Sequence, residues 1–246
     1  MRQLLAFWKL IRMASHIATG LLTVWLRFPR LTPAQKQQRV MAWSQELLAC
    51  LAIELIVRGR PPAAGPLLLV ANHISWIDIA SVHAVCYCRF VAKSDMKRWP
   101  VIGTLTAGIG TLFIERESRR DAMRVVHHMA NSLRAGDVLA VFPEGTTSDG
   151  SSLLPFHANL TQAAIFAQVP VQPMALTFLD ALSGERSVAP AYAGDDSLLR
   201  SVWRTLSAPP LSVVVTLGEL QHAGERDRRA WTADLHAAVR SLRSGV

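Results

Sequence analysis

The chain has 246 residues, of which 50% are hydrophobic, and its formal net charge is +8. Such a length suits one sizeable α/β domain with an N-terminal appendage, while three irregularly spaced cysteines exclude a disulfide framework and a zinc site. The charge requires an acidic partner or surface. Because the composition is apolar and no nucleic-acid-binding motif is present, anionic lipid is favoured over nucleic acid as that partner.

Two apolar segments at the start of the chain predict helices that associate with a membrane. The first, residues 13–26, is about half a bilayer long as a helix at roughly 1.5 Å per residue, and Lys9 and Arg12 precede it. The second, residues 40–57, carries apolar side chains at helical spacing. Since no uncharged apolar run reaches the roughly 18–20 residues needed to span a bilayer, we expect residues 1–57 to lie in one leaflet. Two core helices covering the sheet are the alternative.

After a Gly/Pro-rich linker at residues 58–66, short apolar runs alternate with helical patterns, which indicates a domain over residues 58–246. Strands are predicted at residues 67–71, 89–92, 111–115, 138–142, 171–178 and 213–217, and helices at 77–88, 121–135, 159–168 and 227–243. This alternation predicts an α/β fold with a mixed, largely parallel sheet flanked by helices. Ligands of such sheets bind beyond the carboxyl ends of the strands.

His73 follows the first of these strands, and four residues separate it from Asp78 in the sequence His-Ile-Ser-Trp-Ile-Asp. A histidine placed there can take a proton from an alcohol as a general base, and Asp78 can fix its tautomer through the other ring nitrogen. The local alternative is that Ser75 and Asp78 form a helix-capping box, which would engage Asp78 with the backbone. No Gly-x-Ser-x-Gly nucleophile elbow is present, so the alcohol itself would be the nucleophile.

Residues 142–146, Phe-Pro-Glu-Gly-Thr, are typical of a strand-to-turn junction. Gly145 lets the backbone approach a ligand closely, and Thr146 and nearby amides can donate to a phosphate or an oxyanion. Because His73 and Glu144 both come just after a predicted strand, we expect them to share one edge of the sheet.

Four blocks of the sequence, in order, resemble the motifs of the glycerophospholipid acyltransferase family. They are N-H-x4-D at residues 72–78, G-x-x-F-I-x-R at 110–116, F-P-E-G-T at 142–146 and V-P-V-x-P at 169–173. The resemblance implies transfer of a fatty acyl chain from acyl carrier protein or coenzyme A to the free hydroxyl of a lyso-lipid. The implied acceptor is 1-acylglycerol 3-phosphate, which gives phosphatidic acid in phospholipid biosynthesis. We expect no cofactor and no metal, and a peripheral or monotopic place at the cytoplasmic face of a bacterial-type inner membrane.

The resemblance also implies roles for individual residues. His73 and Asp78 would be catalytic, and Glu144, Gly145 and Thr146 would bind the glycerophosphate of the acceptor. Arg116 of the second block would contact the headgroup, although Glu115-Arg116-Glu117 is also typical of a solvated charge run.

Thr147 departs from the family pattern, because phosphate-specific members commonly carry arginine at that place. Loss of a planar, fork-shaped cation weakens the case for a phosphate monoester acceptor, and Arg116 or Lys93 would have to supply the charge. The alternative acceptor is therefore another lyso-lipid, such as a lyso-ornithine lipid. A non-catalytic membrane-binding scaffold is the alternative from a different class of protein.

Overall fold

The structure is a computed structural model that describes residues 2–114 and 119–246. Within these residues one sheet contains seven strands: β1 (Ile53–Arg58), β2 (Leu67–Ala71), β3 (Arg89–Lys93), β4 (Leu112–Ile114), β5 (Val138–Val141), β6 (Val171–Asp180) and β7 (Leu211–Leu217). Their order is β1-β7-β6-β2-β5-β3-β4, and every neighbouring pair is parallel except β6 with β7. The predicted α/β class with a mixed, largely parallel sheet is confirmed.

Helices cover both faces of this sheet. In the part of the chain that the structure describes they are α1 (Arg2–Leu22), α2 (Pro33–Leu51), α3 (Asp78–Val85), α4 (Pro100–Gly108), α5 (Arg119–Arg134), α6 (Ala158–Ala167), α7 (Leu198–Ser207) and α8 (Arg228–Ser244). Leu67 and Leu69 of β2 pack into a core with α1, α2, α3 and α7, whereas Leu68 and Val70 pack with α5, α6 and α8. A central parallel strand covered on both faces is continuously apolar, which explains the Leu-Leu-Leu-Val-Ala sequence of β2.

The second N-terminal segment is a helix over only part of its predicted length. α2 begins after a capping box formed by Thr32 and Gln35 and ends at Leu51, and Ala52 adopts a left-handed conformation. Residues 53–58 are strand β1, which pairs with β7 at the edge of the sheet. The prediction of a helix through Val57 is therefore wrong, because the β-branched residues that continue the apolar stripe are better suited to a strand. The predicted boundary between residues 57 and 58 falls inside β1.

The first N-terminal segment is helical over more residues than predicted. α1 begins at Arg2 and continues into a short π-helix, Thr23–Arg27, and a 3-10 turn, Phe28–Arg30. It lies close to α2, because a Cβ added at Gly20 would stand 2.6 Å from the Trp43 indole nitrogen. None of the helices in residues 2–114 and 119–246 is long and apolar enough to cross a membrane.

Candidate active site

His73 and Asp78 meet at the carboxyl end of β2. The strand ends at Ala71 and α3 begins at Asp78, so the loop between them carries the histidine. His73 Nδ1 lies 2.7 Å from Asp78 Oδ2, the Asp78 side chain is fully buried, and the His73 side chain is 20% exposed. A histidine whose Nδ1–H donates to a carboxylate keeps Nε2 free to accept a proton. The geometry is that of a general base and its orienting carboxylate.

Asp78 also holds the loop that carries the histidine. Its Oδ2 accepts the backbone N–H of Ile74 at 2.6 Å and that of Ser75 at 2.8 Å. The Ser75 hydroxyl donates to the Pro190 carbonyl at 2.6 Å, and no side chain caps α3 at its first turn. Of the capping box that was the local alternative, the bond from the Ser75 N–H to Asp78 is present, whereas the described segment has no bond from the Asp78 N–H to the Ser75 hydroxyl. Asp78 therefore engages both the histidine and the backbone. The two interpretations of this aspartate were not exclusive.

The loop after β5 fixes His73 from the other side. The imidazole stacks on Phe142 with ring centroids 4.0 Å apart and planes 4° apart. The His73 N–H donates to Glu144 Oε1 at 2.6 Å, and the His73 carbonyl accepts the N–H of Ser148 at 2.9 Å. Both the ring and the backbone of the histidine are therefore held before any substrate arrives, which is the preorganisation that proton transfer requires.

Glu144 is buried, and both of its carboxylate oxygens accept backbone N–H groups. Besides His73, the N–H of Leu154 donates to Oε2 at 3.0 Å. Burial raises the pKa of Glu144, and the two backbone hydrogen bonds together with the charges of His73 and Arg243 oppose that rise. The carboxylate thus joins three segments of backbone, including the loop that carries His73. Its predicted contact with substrate stays a prediction.

Gly145, Thr146 and Thr147 form part of the wall of a cavity beside His73. Gly145 has a φ of +74°, and a Cβ there would lie 3.0 Å from the His157 ring, so both the backbone conformation and the space favour glycine. Gly145 and Thr146 are exposed, and their N–H and hydroxyl groups can reach a ligand. Their predicted role in substrate binding is compatible with this position but stays a prediction.

Two basic residues, Arg116 and Lys93, were predicted to supply positive charge to the site. Arg116 lies outside the described residues. Lys93 is the last residue of β3, so its backbone lies at the same edge of the sheet as His73, whereas its side chain is not among those described.

Asn72 contributes to the site in a way that the sequence interpretation missed. Its amide donates to the Leu176 carbonyl at 3.0 Å, and its oxygen accepts the Leu176 N–H at 2.8 Å. The buried side chain therefore replaces a backbone pair and extends the contact of β2 with β6 beyond Ala71. The available signal was a polar residue directly after a wholly apolar strand, where a buried amide needs partners.

An apolar cavity of about 770 Å³ has His73 in its wall. Several helices contribute apolar side chains to its walls, among them Leu10, Met13 and Ile17 from α1, Val40, Trp43 and Leu47 from α2, Ile79 from α3, Ile102 and Leu105 from α4, and Leu198 and Val202 from α7. Such a volume and lining are typical of a pocket for a largely apolar ligand. Among the residues that the structure describes, no cluster of His, Cys, Asp or Glu side chains could hold a metal ion.

A histidine–aspartate pair at the carboxyl edge of a mostly parallel sheet, beside an apolar cavity, suits an α/β enzyme that activates a hydroxyl next to an aliphatic chain. Residues 54–177 match the protein-family model described as Acyltransferase. The chain belongs to this acyltransferase family, which confirms the predicted resemblance and the predicted enzyme class.

Curated relatives cover most of the chain and carry two different names. The "1-acyl-sn-glycerol-3-phosphate acyltransferase" of Neisseria gonorrhoeae is 38% identical over 213 residues, which are 85% of this chain and 82% of the relative. The "Lyso-ornithine lipid O-acyltransferase" of Pseudomonas aeruginosa is 35% identical over 235 residues, which are 93% of this chain and 90% of the relative.

A solved structure shares the fold. The crystal structure of the 1-acyl-sn-glycerophosphate acyltransferase PlsC from Thermotoga maritima superposes with a TM-score of 0.72, covering 100% of this chain and 97% of that one at 18% identity. At that identity the similarity establishes the fold alone.

Proposed function

We propose that the chain transfers a fatty acyl group from an acyl carrier protein or coenzyme A thioester to the free hydroxyl of a lyso-lipid, with 1-acylglycerol 3-phosphate as the acceptor. The observation that carries the proposal is that His73, paired with Asp78, lines the apolar cavity. The cavity can hold an acyl chain, and the base beside it can activate a hydroxyl within the same site.

The proposed reaction needs one proton carrier. His73 Nε2 takes the proton of the acceptor hydroxyl while that oxygen attacks the thioester carbonyl. The tetrahedral intermediate collapses, the carbon–sulfur bond breaks, and the leaving thiolate takes the proton from the imidazolium. The products are an ester and a free thiol. Asp78 stabilises the imidazolium between these steps without taking the proton itself.

The acceptor headgroup distinguishes two candidate substrates. A phosphate monoester requires a cation and oriented donors, which Arg116 and the turn at Glu144–Thr146 are proposed to supply. Thr147 favours the second candidate, a lyso-ornithine lipid, because a threonine offers no fork-shaped cation at the place where phosphate-specific members carry arginine. Because relatives carry both names, the two acceptors should be compared in the same experiment.

We also propose that the N-terminal region holds the enzyme on the cytoplasmic face of a bacterial-type inner membrane. In support, α1 and the short helices after it expose large apolar side chains, among them Leu4, Trp8 and Trp25. Arg27 and Arg30 are exposed beside them. Tryptophan at the level of the headgroups and arginine toward anionic lipid are typical of a protein that lies in one leaflet.

Acceptor kinetics with purified protein test the proposed function. The wild type should use 1-acylglycerol 3-phosphate with a higher kcat/KM than lyso-ornithine lipid, and His73→Ala should reduce both rates by about 10²–10⁴-fold. Arg116→Ala should raise the KM for the phosphate acceptor more than that for the donor, Arg116→Lys should recover part of the loss, and Thr147→Arg should improve use of the phosphate acceptor.

Two results would redirect the proposal. A preference for lyso-ornithine lipid with no effect of Arg116→Ala would favour the second acceptor. An Arg116→Ala variant that weakened only donor use would mean that the two substrates had been assigned to the wrong sides of the site.

A further inference from the structure

The outer face of α7 exposes two large apolar side chains one helical turn apart. Leu199 is 82% exposed and Trp203 is 39% exposed. Residues i and i+4 of a helix lie on the same face, so the two side chains form one patch. Single exposed apolar residues need no explanation, but a paired leucine and tryptophan on one helix face indicate an interaction surface.

The inner face of α7 belongs to the active-site cavity. Leu198 and Val202 line that cavity together with His73, and Leu199 lines it as well. Because Leu199 is both a lining residue and largely exposed, it stands at the rim where the cavity meets the outside. The apolar patch of α7 is therefore continuous with the entrance to the site.

The neighbour of α7 in the fold is α1, and the two helices pack against each other. α1 exposes Leu4 and Trp8, so the apolar patch of α7 adjoins a helix that is itself apolar on its outside. Arg200, which is exposed next to Leu199, adds positive charge to the α7 face. Tryptophan, aliphatic and arginine side chains on one surface match an anionic membrane–water interface.

We propose that α7 is a second membrane-contacting helix, with Leu199 and Trp203 inserted into an anionic leaflet beside α1. Contact of this face of α7 with the leaflet would place the rim of the cavity next to the lipids. A lyso-lipid can then bring its hydroxyl to His73 without exposing its chain to water. Such exposure would cost free energy for every methylene group that left the bilayer. The passage of a lyso-lipid rests on the proposed function, whereas contact of α7 with the leaflet does not.

Vesicle flotation tests this contact without any need for catalysis. The full chain would be mixed with vesicles of phosphatidylethanolamine and phosphatidylglycerol, and its partition coefficient measured for the wild type, Trp203→Ser, Leu199→Ser and Leu199→Glu. Leu182→Ser is the matched control, because Leu182 is 80% exposed in the turn after β6 and does not line the cavity.

The three α7 variants should bind vesicles about tenfold less tightly than the wild type, since each removes inserted apolar area or adds a repelled charge. Leu182→Ser should bind as the wild type does. If Trp203→Ser does not fold, Leu199→Glu still tests the proposal, because the exposed Leu199 side chain contributes little to the core. Equal binding by the α7 variants and the control would overturn the proposal.

Steady-state kinetics provide a second test of the membrane contact of α7. Trp203→Ser should raise the KM for a lyso-lipid embedded in vesicles by about tenfold, and leave kcat/KM for a short-chain, water-soluble lyso-lipid unchanged. If it instead left flotation unchanged and raised the KM for an acyl carrier protein thioester, α7 would face the carrier protein, and the membrane proposal would be wrong. Failure of every variant and the wild type to acylate a lyso-lipid would refute the proposed function while leaving the flotation result intact.

Discussion

Replacing Asp78 by asparagine should separate the charge of this side chain from its shape. In the structure Asp78 Oδ2 accepts three hydrogen bonds, from His73 Nδ1 and from the backbone N–H groups of Ile74 and Ser75. The other oxygen, Oδ1, is buried and has no hydrogen-bond partner among the described residues. An asparagine can therefore keep its oxygen at the position of Oδ2 and place its NH₂ group at that of Oδ1, so the loop retains its three hydrogen bonds.

The lost charge should appear in the rate. Proton transfer turns His73 into an imidazolium whose charge lies about 4 Å from that of the carboxylate, and at an effective dielectric constant of about 20 the attraction is about 4 kcal/mol. Loss of that stabilisation in the transition state lowers kcat by about 10³-fold. The KM for the acceptor should change little, because the neutral imidazole of the ground state gains less from the carboxylate.

Steady-state kinetics and thermal unfolding together test this reasoning. Asp78→Asn should unfold within about 1 kcal/mol of the wild type, whereas Asp78→Ala, which leaves two backbone N–H groups and the His73 ring without an acceptor, should lose about 2–4 kcal/mol of stability. An Asp78→Asn enzyme with a kcat within tenfold of the wild type would refute the electrostatic role. One that unfolded as easily as Asp78→Ala would show that the carboxylate charge also holds the fold.

Two further residues have testable roles. Glu144→Gln should lower kcat by about 10–100-fold with the acceptor KM within about twofold, because glutamine offers only one acceptor oxygen for two backbone N–H groups; a rise in the acceptor KM alone would instead support a headgroup contact. Burial lowers the pKa of His83 from 6.5 to about 4, so between these values the unfolded chain binds a proton that the folded protein excludes. The free energy of unfolding should consequently fall as the pH drops from 6.5 to 4, with His83 contributing about 3 kcal/mol of the loss. Chemical denaturation at several pH values should show a shallower fall for His83→Gln, which keeps an N–H for the Cys88 carbonyl, and identical slopes would contradict the assignment.

The central strands were predictable because their surroundings are uniform. A strand buried on both faces, such as β2, needs an unbroken apolar run. Few other structural elements of five residues have that requirement, so such a run indicates a buried strand. The edge strand β1 was not predictable in the same way. Its sequence continues the apolar stripe of α2, and only pairing with β7, more than 150 residues later in the chain, decides between helix and strand. Tertiary contact overrides local pattern at such a place.

The candidate site divides along similar lines. The pairing of His73 with Asp78 is local and follows from their spacing at a strand end. The partners of Glu144 are backbone groups brought together by the fold, so its sequence motif could indicate that the residue matters without indicating what it touches. Helix α7 was also missed, although its amphipathic pattern and the cap at Ser197 are visible in hindsight.

The walls of the cavity have a consequence for how members of this family diverge. The segment that matches the family runs from residue 54 to residue 177, yet α1, α2 and α7, which supply much of the apolar lining, lie outside it. The catalytic motifs can therefore stay unchanged while substitutions in these flanking helices lengthen, shorten or reshape the space for an aliphatic chain. If the cavity holds the acyl chain as proposed, selectivity for chain length can change while His73 and Asp78 stay the same.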